Sequence, residues 1–116
     1  MNREEVIQRW DSMTLRERDA WIGDVVMKIT PEFDKGLNLD GWKVGPQTWS
    51  LSIPCYTKEI SAAWEVFINF DTPSVKKNFD VDDEDYYLCK IGGIVEFGKT
   101  APEAICKAAL LAVLDI

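Results

Sequence analysis

The chain contains no histidine, which removes at once the commonest general base at neutral pH and the commonest zinc ligand. Arginine is scarce: Arg3, Arg9, Arg16 and Arg18 all fall before position 20, so any bidentate guanidinium clamp on a phosphate has to come from the N-terminal part. Cys55, Cys89 and Cys106 are odd in number and lack C-x-x-C spacing, which argues against a disulfide framework and for a reduced, cytosolic setting. No apolar run approaches the length of a membrane span or a secretory core, and the opening Met1-Asn-Arg-Glu-Glu is too acidic for a transit peptide. There is no G-x-S-x-G elbow and no G-x-x-x-x-G-K phosphate loop. Without histidine the cysteines also lack the usual activating base. These absences leave no catalytic residue to name and point away from an enzyme.

At 116 residues the chain is long enough for one domain that buries about 65% of its unfolded surface without metals or disulfides. Its net charge of −7 is wrong for a general binder of nucleic acid or anionic membrane, since neutralising phosphates takes clustered Lys and Arg. The charge suits solubility and docking on a basic partner.

The pattern predicts an α+β domain: N-terminal helices over 2–28, an irregular segment with a possible hairpin over 30–55, and a helix–three strands–helix core over 57–115. Asn2 with Glu5, and Thr14 with Glu17, are capping-box pairs that open two helices. Val6, Ile7 and Trp10 form the apolar side of the first helix. Leu15, Ile22, Val25, Val26 and Ile29 recur at helical spacing in the second, which Pro31 closes. Gly36, Gly41, Gly45, Pro46 and Pro54 break up the next stretch, where Trp42 and Val44 before a Gly45-Pro46 turn and Trp49, Leu51 and Ile53 after it alternate like a loose hairpin. Thr57 is expected to cap a helix to about Asn69, with Ile60, Ala63, Trp64 and Phe67 on its packing face. Strands follow over 75–81, 86–91 and 94–97, the last two joined by a primed turn at Gly92-Gly93. Thr100, Pro102 and Glu103 then start a final helix that is apolar nearly all round, so more than one of its sides must be buried. The expected architecture is two-layered: a small three- to five-stranded antiparallel sheet packed by the 57–69 and 100–115 helices. The walls of the last helix come from the rest of the chain or from a second copy, hence an expected homo-oligomer.

Double-stranded-RNA-binding domains share this order of elements, but this chain has only Lys99 and Lys107 where they carry a basic cluster. Double-stranded nucleic acid is therefore not the expected partner.

Three segments carry a family likeness: Thr14–Met27 ending in Asp24-Val-Val-Met27, Pro54-x-Tyr-Thr-x-x-Ile-Ser-Ala-Ala-Trp-Glu-Val66, and Thr100-Ala-Pro-Glu-Ala-Ile-Cys-Lys-Ala-Ala-Leu110. They resemble the phage ABA sandwich domain family, small proteins of bacteriophages and prophages. That resemblance implies a phage-encoded accessory protein working in the host cytoplasm. A looser likeness of size and layout to Thoeris anti-defence proteins implies a nucleotide sponge, which binds a cyclic ADP-ribose-type immune signal without cleaving it.

For such a ligand the candidate residues are Trp42 and Trp49, whose ring faces can stack a base, with Lys76, Lys90, Lys99 and Arg16 for phosphate charge. Thr100 joins them at the N-terminus of the last helix, an anion-friendly end. The alternative is an inhibitor that meets a host defence protein through an acidic surface of Glu59, Asp80, Asp82, Asp83, Glu84 and Asp85. The acidic run lacks the glycine and distal glutamate of a calcium loop, so neither a metal nor any other cofactor is expected.

Overall fold

A computed structural model describes residues 2–79 and 85–114. Two helices come first, α1 (Arg3–Ser12) and α2 (Leu15–Val25). Each begins where the capping residues predict. The Asn2 side chain accepts the Glu5 N–H at 2.9 Å. Thr14 and Glu17 form a reciprocal box, the Glu17 N–H donating to Thr14 Oγ1 at 3.2 Å and the Thr14 N–H to Glu17 Oε1 at 3.1 Å. These bonds hold the Glu17 carboxyl below its ordinary value, the Thr14 backbone contributing most. The second helix stops earlier than expected, before Pro31 acts. Lys28 adopts a left-handed backbone (φ 54°) and Ile29 folds back to donate its N–H to Gly23 O. A side chain at Gly23 would lie 2.7 Å from Ile29 Cδ1, so this helical glycine gives up propensity to let Ile29 cover the helix.

Among the described residues six strands form two separate sheets instead of one, orders β1-β2-β3 and β4-β5-β6, all antiparallel. The stretch expected to be irregular holds the first: β1 (Thr30–Asp34), β2 (Leu39–Gly45) and β3 (Thr48–Ser50). The hairpin between β2 and β3 turns at Pro46 and Gln47, with Gly45 opposite Thr48. The additional strand is β1. Its Pro31 argued against a strand, but β1 is an edge, where a missing N–H is tolerated. Asp34 organises the β1–β2 turn by accepting the N–H groups of Gly36 and Leu37 at 2.8 and 3.3 Å.

This first sheet projects from the body. Phe33, Leu37 and Leu39 near its tip are exposed. The molecule measures 54 × 29 × 29 Å with a radius of gyration of 15.1 Å, against about 13 Å for a compact chain of this length.

The core follows as α3 (Ile60–Phe67), β4 (Ser74–Phe79), β5 (Asp85–Ile91), β6 (Ile94–Gly98) and α4 (Ala101–Leu114). Gly92 sits at φ +60° in the two-residue turn that pairs Ile91 with Ile94, the glycine-first form of primed turn. The last helix, α4, is central: Ala104, Ile105, Cys106, Ala108, Ala109, Leu110 and Leu111 are all buried. The core around it includes Cys89 and Ile91 of β5, Ala63, Val66 and Phe67 of α3, Ile22 of α2, and Val6 and Trp10 of α1. One chain supplies every wall, so the apolar character of α4 gives no reason of its own to require a second copy.

Two sequence expectations for α3 fail. Ile60 and Trp64, both expected on the packing face, are 56% and 51% exposed, and Trp64 stacks on Phe67 at 4.8 Å between ring centroids. The helix is apolar on most of its circumference. It offers two stripes, Ile60/Trp64/Ile68 and Ala63/Val66/Phe67, and the second one packs inward. Nor does Thr57 cap it. The helix begins after Glu59, which makes no side-chain cap bond, and Thr57 is buried on other duty.

That duty is to meet Asp19, a fully buried carboxylate on α2. Asp19 Oδ1 accepts from the Thr57 N–H at 2.8 Å and from Thr57 Oγ1 at 2.7 Å, while Oδ2 accepts from Arg16 Nη1 at 2.8 Å. Arg16 in turn donates to Ile53 O at 2.7 Å. Removing the carboxylate orphans the buried Thr57 donors and one end of an ion pair. Asp19→Ala is therefore expected to lower the unfolding free energy by about 2–4 kcal/mol, measured by urea denaturation followed by circular dichroism. Asp19→Asn, which keeps the acceptor oxygen, loses less.

Candidate functional site

The first helix is pinned to the second by a reciprocal brace. The Arg9 guanidinium of α1 lies 4.5 Å above the Trp21 ring of α2, and that of Arg18 of α2 lies 4.9 Å from the Trp10 ring centroid of α1. Arg18 Nε also donates to Trp10 O at 2.8 Å. Each cation–π contact is worth about 0.5–2 kcal/mol depending on desolvation. A second tie holds α1 at the other end. Glu96 of β6, 4% exposed, pairs with Arg3 Nη2 at 2.6 Å and with Lys107 Nζ of α4 at 3.5 Å. The tight turn makes this position legible in retrospect: pairing Ile91 with Ile94 places Glu96 opposite Cys89, on the inward face.

These ties frame a cleft of about 680 Å³ between the end of α1, the β5–β6 face and the start of α4, within the usual size range of ligand sites. Its aromatic walls are Trp10, Tyr86 and Phe97. Tyr86 meets Phe97 edge-to-face at 6.3 Å, and the Lys107 ammonium lies 5.5 Å from the Phe97 ring centroid. Phe97 is 61% exposed, an open ring face beside cations. Three cations, Arg18, Lys99 and Lys107, line the cleft against two carboxylates, Asp11 and Glu103. That leaves a local excess of one positive charge in a chain whose total is −7. Gly98 lets β6 approach α4 closely, since a Cβ there would lie 2.9 Å from the Ala104 nitrogen.

The sequence-selected ligand residues do not converge. Lys99 lines the cleft, and Thr100 at its rim caps α4 by accepting the Glu103 N–H at 3.3 Å. Lys76 is cross-strand from Leu88, itself a cleft residue, so it stands about 5 Å from the cleft wall. Lys90, opposite Val95, is one row further along the same face. Arg16 is engaged with Asp19, Ile53 O and Cys55 Sγ.

The two tryptophans of the projecting sheet lie on opposite faces and do not form one stacking slot. Trp49 is opposite Lys43 and its indole crosses over Gly41, donating from Nε1 to Glu32 O at 2.9 Å. Any side chain at Gly41 would collide with that ring and lie 2.6 Å from Ser50 O. Trp42 pairs with Pro31 and Ser50 on the other face and lines a second cavity, of about 520 Å³, against α2.

Of the acidic candidates, Glu59 is exposed at the start of α3. Asp80, Asp82, Asp83 and Glu84 lie outside the described residues, and Asp85 opens β5. The residues that sequence reasoning passed over are Trp10, Arg18, Phe97 and Lys107. Trp10 and Arg18 meet only through tertiary packing, and no spacing within either helix announces it.

Comparison with known proteins now places the chain. The model of the phage ABA sandwich domain family matches residues 20–110. The chain belongs to that family. A crystal structure of a phage protein from Bacillus cereus ATCC 14579 is similar over 89% of this chain and 95% of that one, with a TM-score of 0.56 and 24% identity; at that identity the likeness concerns the fold. No curated protein matches the sequence. In this phage ABA sandwich domain protein, Trp10, Asp11 and Arg18 precede the matched segment, so one wall of the cleft is built outside it. Among the described residues no helix is long and apolar enough to cross a membrane.

The thiols are differently placed. Cys106 is buried and donates to Tyr56 O at 3.2 Å. Burial, with a further contribution from nearby Asp19, pushes its pKa far up. Burial raises that of Cys89 from the ordinary 9.0 to about 11, and chiefly burial raises that of Tyr56 from 10.0 to about 12. Cys55 is half-buried. At pH 8 a thiol reagent is expected to modify Cys55 in the native protein and all three thiols after unfolding. Stability follows with a definite sign. Above pH 9 the unfolded thiols lose protons that the folded ones retain, so unfolding becomes easier as pH rises towards about 11. Urea midpoints between pH 7 and 10.5 check this.

Proposed function

We propose that this member of a phage protein family acts by binding a flat, anionic small molecule, and that a nucleotide is the ligand class best suited to the cleft between α1, β5–β6 and α4. One observation carries the reading: in an acidic chain, this cleft places three cations beside three aromatic rings. A base stacked on Phe97 or Tyr86 gains about 1–3 kcal/mol. A phosphate group finds charge at Lys99, Lys107 and Arg18, close to the N-terminal end of α4, where helix N–H groups favour anions.

In its sharpest form the protein is a sponge that withholds a cyclic nucleotide or ADP-ribose-type immune signal in the host cell. Retention without turnover suits a chain that has no histidine and whose two most buried thiols are kept protonated. Lys107 is already paired with Glu96, so its net contribution to an incoming anion is reduced, and Lys99 is the freer charge.

Isothermal titration against mononucleotides, cyclic dinucleotides, ADP-ribose and its cyclised forms tests the proposal. At least one is expected to bind, with affinity reduced about tenfold or more by Phe97→Ala and several-fold by Lys99→Ala, both variants keeping the parent melting temperature to within a few degrees. Mass spectrometry of the ligand released by denaturation should return it unaltered. Absence of heat with every compound sinks the nucleotide reading, and recovery of a cleaved product sinks the sponge.

A further inference from the structure

The second cavity has the opposite electrostatic character. It lies between α2 and the root of the projecting sheet, with Trp21 and Trp42 both half-buried along it. Ile29 and Ile53 add apolar surface, and Glu17 and Asp24 bring two carboxylates against the single cation Arg9. Its local charge is therefore −1. Trp21 already carries a cation on its ring, since the Arg9 guanidinium sits 4.5 Å from the centroid. Among the described residues no cation of the chain sits over the Trp42 ring.

We propose that this cavity is a receptor site for an organic cation, a guanidinium or alkylammonium group held over the Trp42 face and neutralised by Asp24 and Glu17. Aromatic faces backed by carboxylates are what such cations need: the ring quadrupole attracts the charge without requiring its full hydration shell. Arg9 shows that a guanidinium fits one wall of this same space. Its charge limits the site to one further cation, taken at the Trp42 ring that Arg9 leaves uncovered. Glu17 is a carboxylate at neutral pH like any exposed glutamate, and the bond it accepts from the Thr14 N–H holds its pKa further down. The long-range field of a chain of net charge −7 draws a cation towards this site. The group could belong to a free small molecule or to a Lys or Arg side chain of a basic protein.

The indole N–H signals of the full isotope-labelled chain report the outcome, titrated with methylguanidinium, tetramethylammonium and a tri-arginine peptide, with sodium chloride as the ionic-strength control. Saturable shifts of the Trp42 and Trp21 signals are expected, lost in Trp42→Ala and weakened at least threefold in Asp24→Asn, while the Trp49 signal stays in place. Tenfold tighter binding of the peptide than of the small cations assigns the site to a protein side chain; equal affinities assign it to a free cation. Shifts no larger than sodium chloride produces overturn the proposal. So does binding that Asp24→Asn leaves unchanged, a reading that stands even if Trp42→Ala disturbs the sheet.

Discussion

The contact on which the fold depends is the buried carboxylate of Asp19. It joins α2 to a stretch of chain with no regular structure, the segment from Ile53 to Thr57, through Thr57 on one oxygen and Arg16 on the other. Burying a charge is costly unless both carboxylate oxygens find donors, and here a backbone N–H and a hydroxyl serve Oδ1 and a guanidinium serves Oδ2. Fixing Thr57 fixes its neighbour Tyr56, which is buried in the core and whose carbonyl receives the Cys106 thiol of α4. One polar junction thus sets the position of α2 relative to the central helix, and the apolar core closes around it.

Charge also secures what the core cannot. The first helix contributes only Val6 and Trp10 to the fully buried set, too little apolar area to hold ten residues against their conformational entropy. Arg3 on Glu96 and the paired Arg9–Trp21 and Arg18–Trp10 contacts make up the difference. All four arginines of the chain are used in this way or at Asp19. Their confinement to the first 20 residues, read from sequence as a limit on phosphate binding, is explained by the attachment of α1 and α2.

What the sequence made legible follows from range. Caps act within one turn, so Asn2, Thr14 and Thr100 could be read correctly, and a two-residue glycine turn fixes its own register. The apolar α4 had to be central wherever the other elements lay. Thr57 looked like another cap because nothing local reveals Asp19, 38 residues away. Trp64 was misplaced because α3 is apolar on two stripes and periodicity cannot choose between them. The first sheet was hidden by glycines and prolines that serve it. Gly41 clears space for the Trp49 ring and Pro31 sits on an edge. The cleft was the least legible feature, since its residues come from five elements and its Phe97 reads as an ordinary strand residue.

The α1–α2 hairpin is a wall common to both cavities, with Trp10, Asp11 and Arg18 towards one and Arg9, Glu17, Trp21 and Asp24 towards the other. The acidity of the chain as a whole acts on them in opposite senses. At physiological ionic strength charges beyond about 8 Å are largely screened, so a nucleotide must be held by short-range stacking and by the few cations at the cleft itself. A cation at the second cavity has its local carboxylates, Glu17 and Asp24, in its favour. The same brace therefore separates a site that works against the charge of the protein from one that works with it. Loosening the Arg18–Trp10 pair acts first on the cleft and loosening the Arg9–Trp21 pair first on the second cavity, because each pair lines one of them.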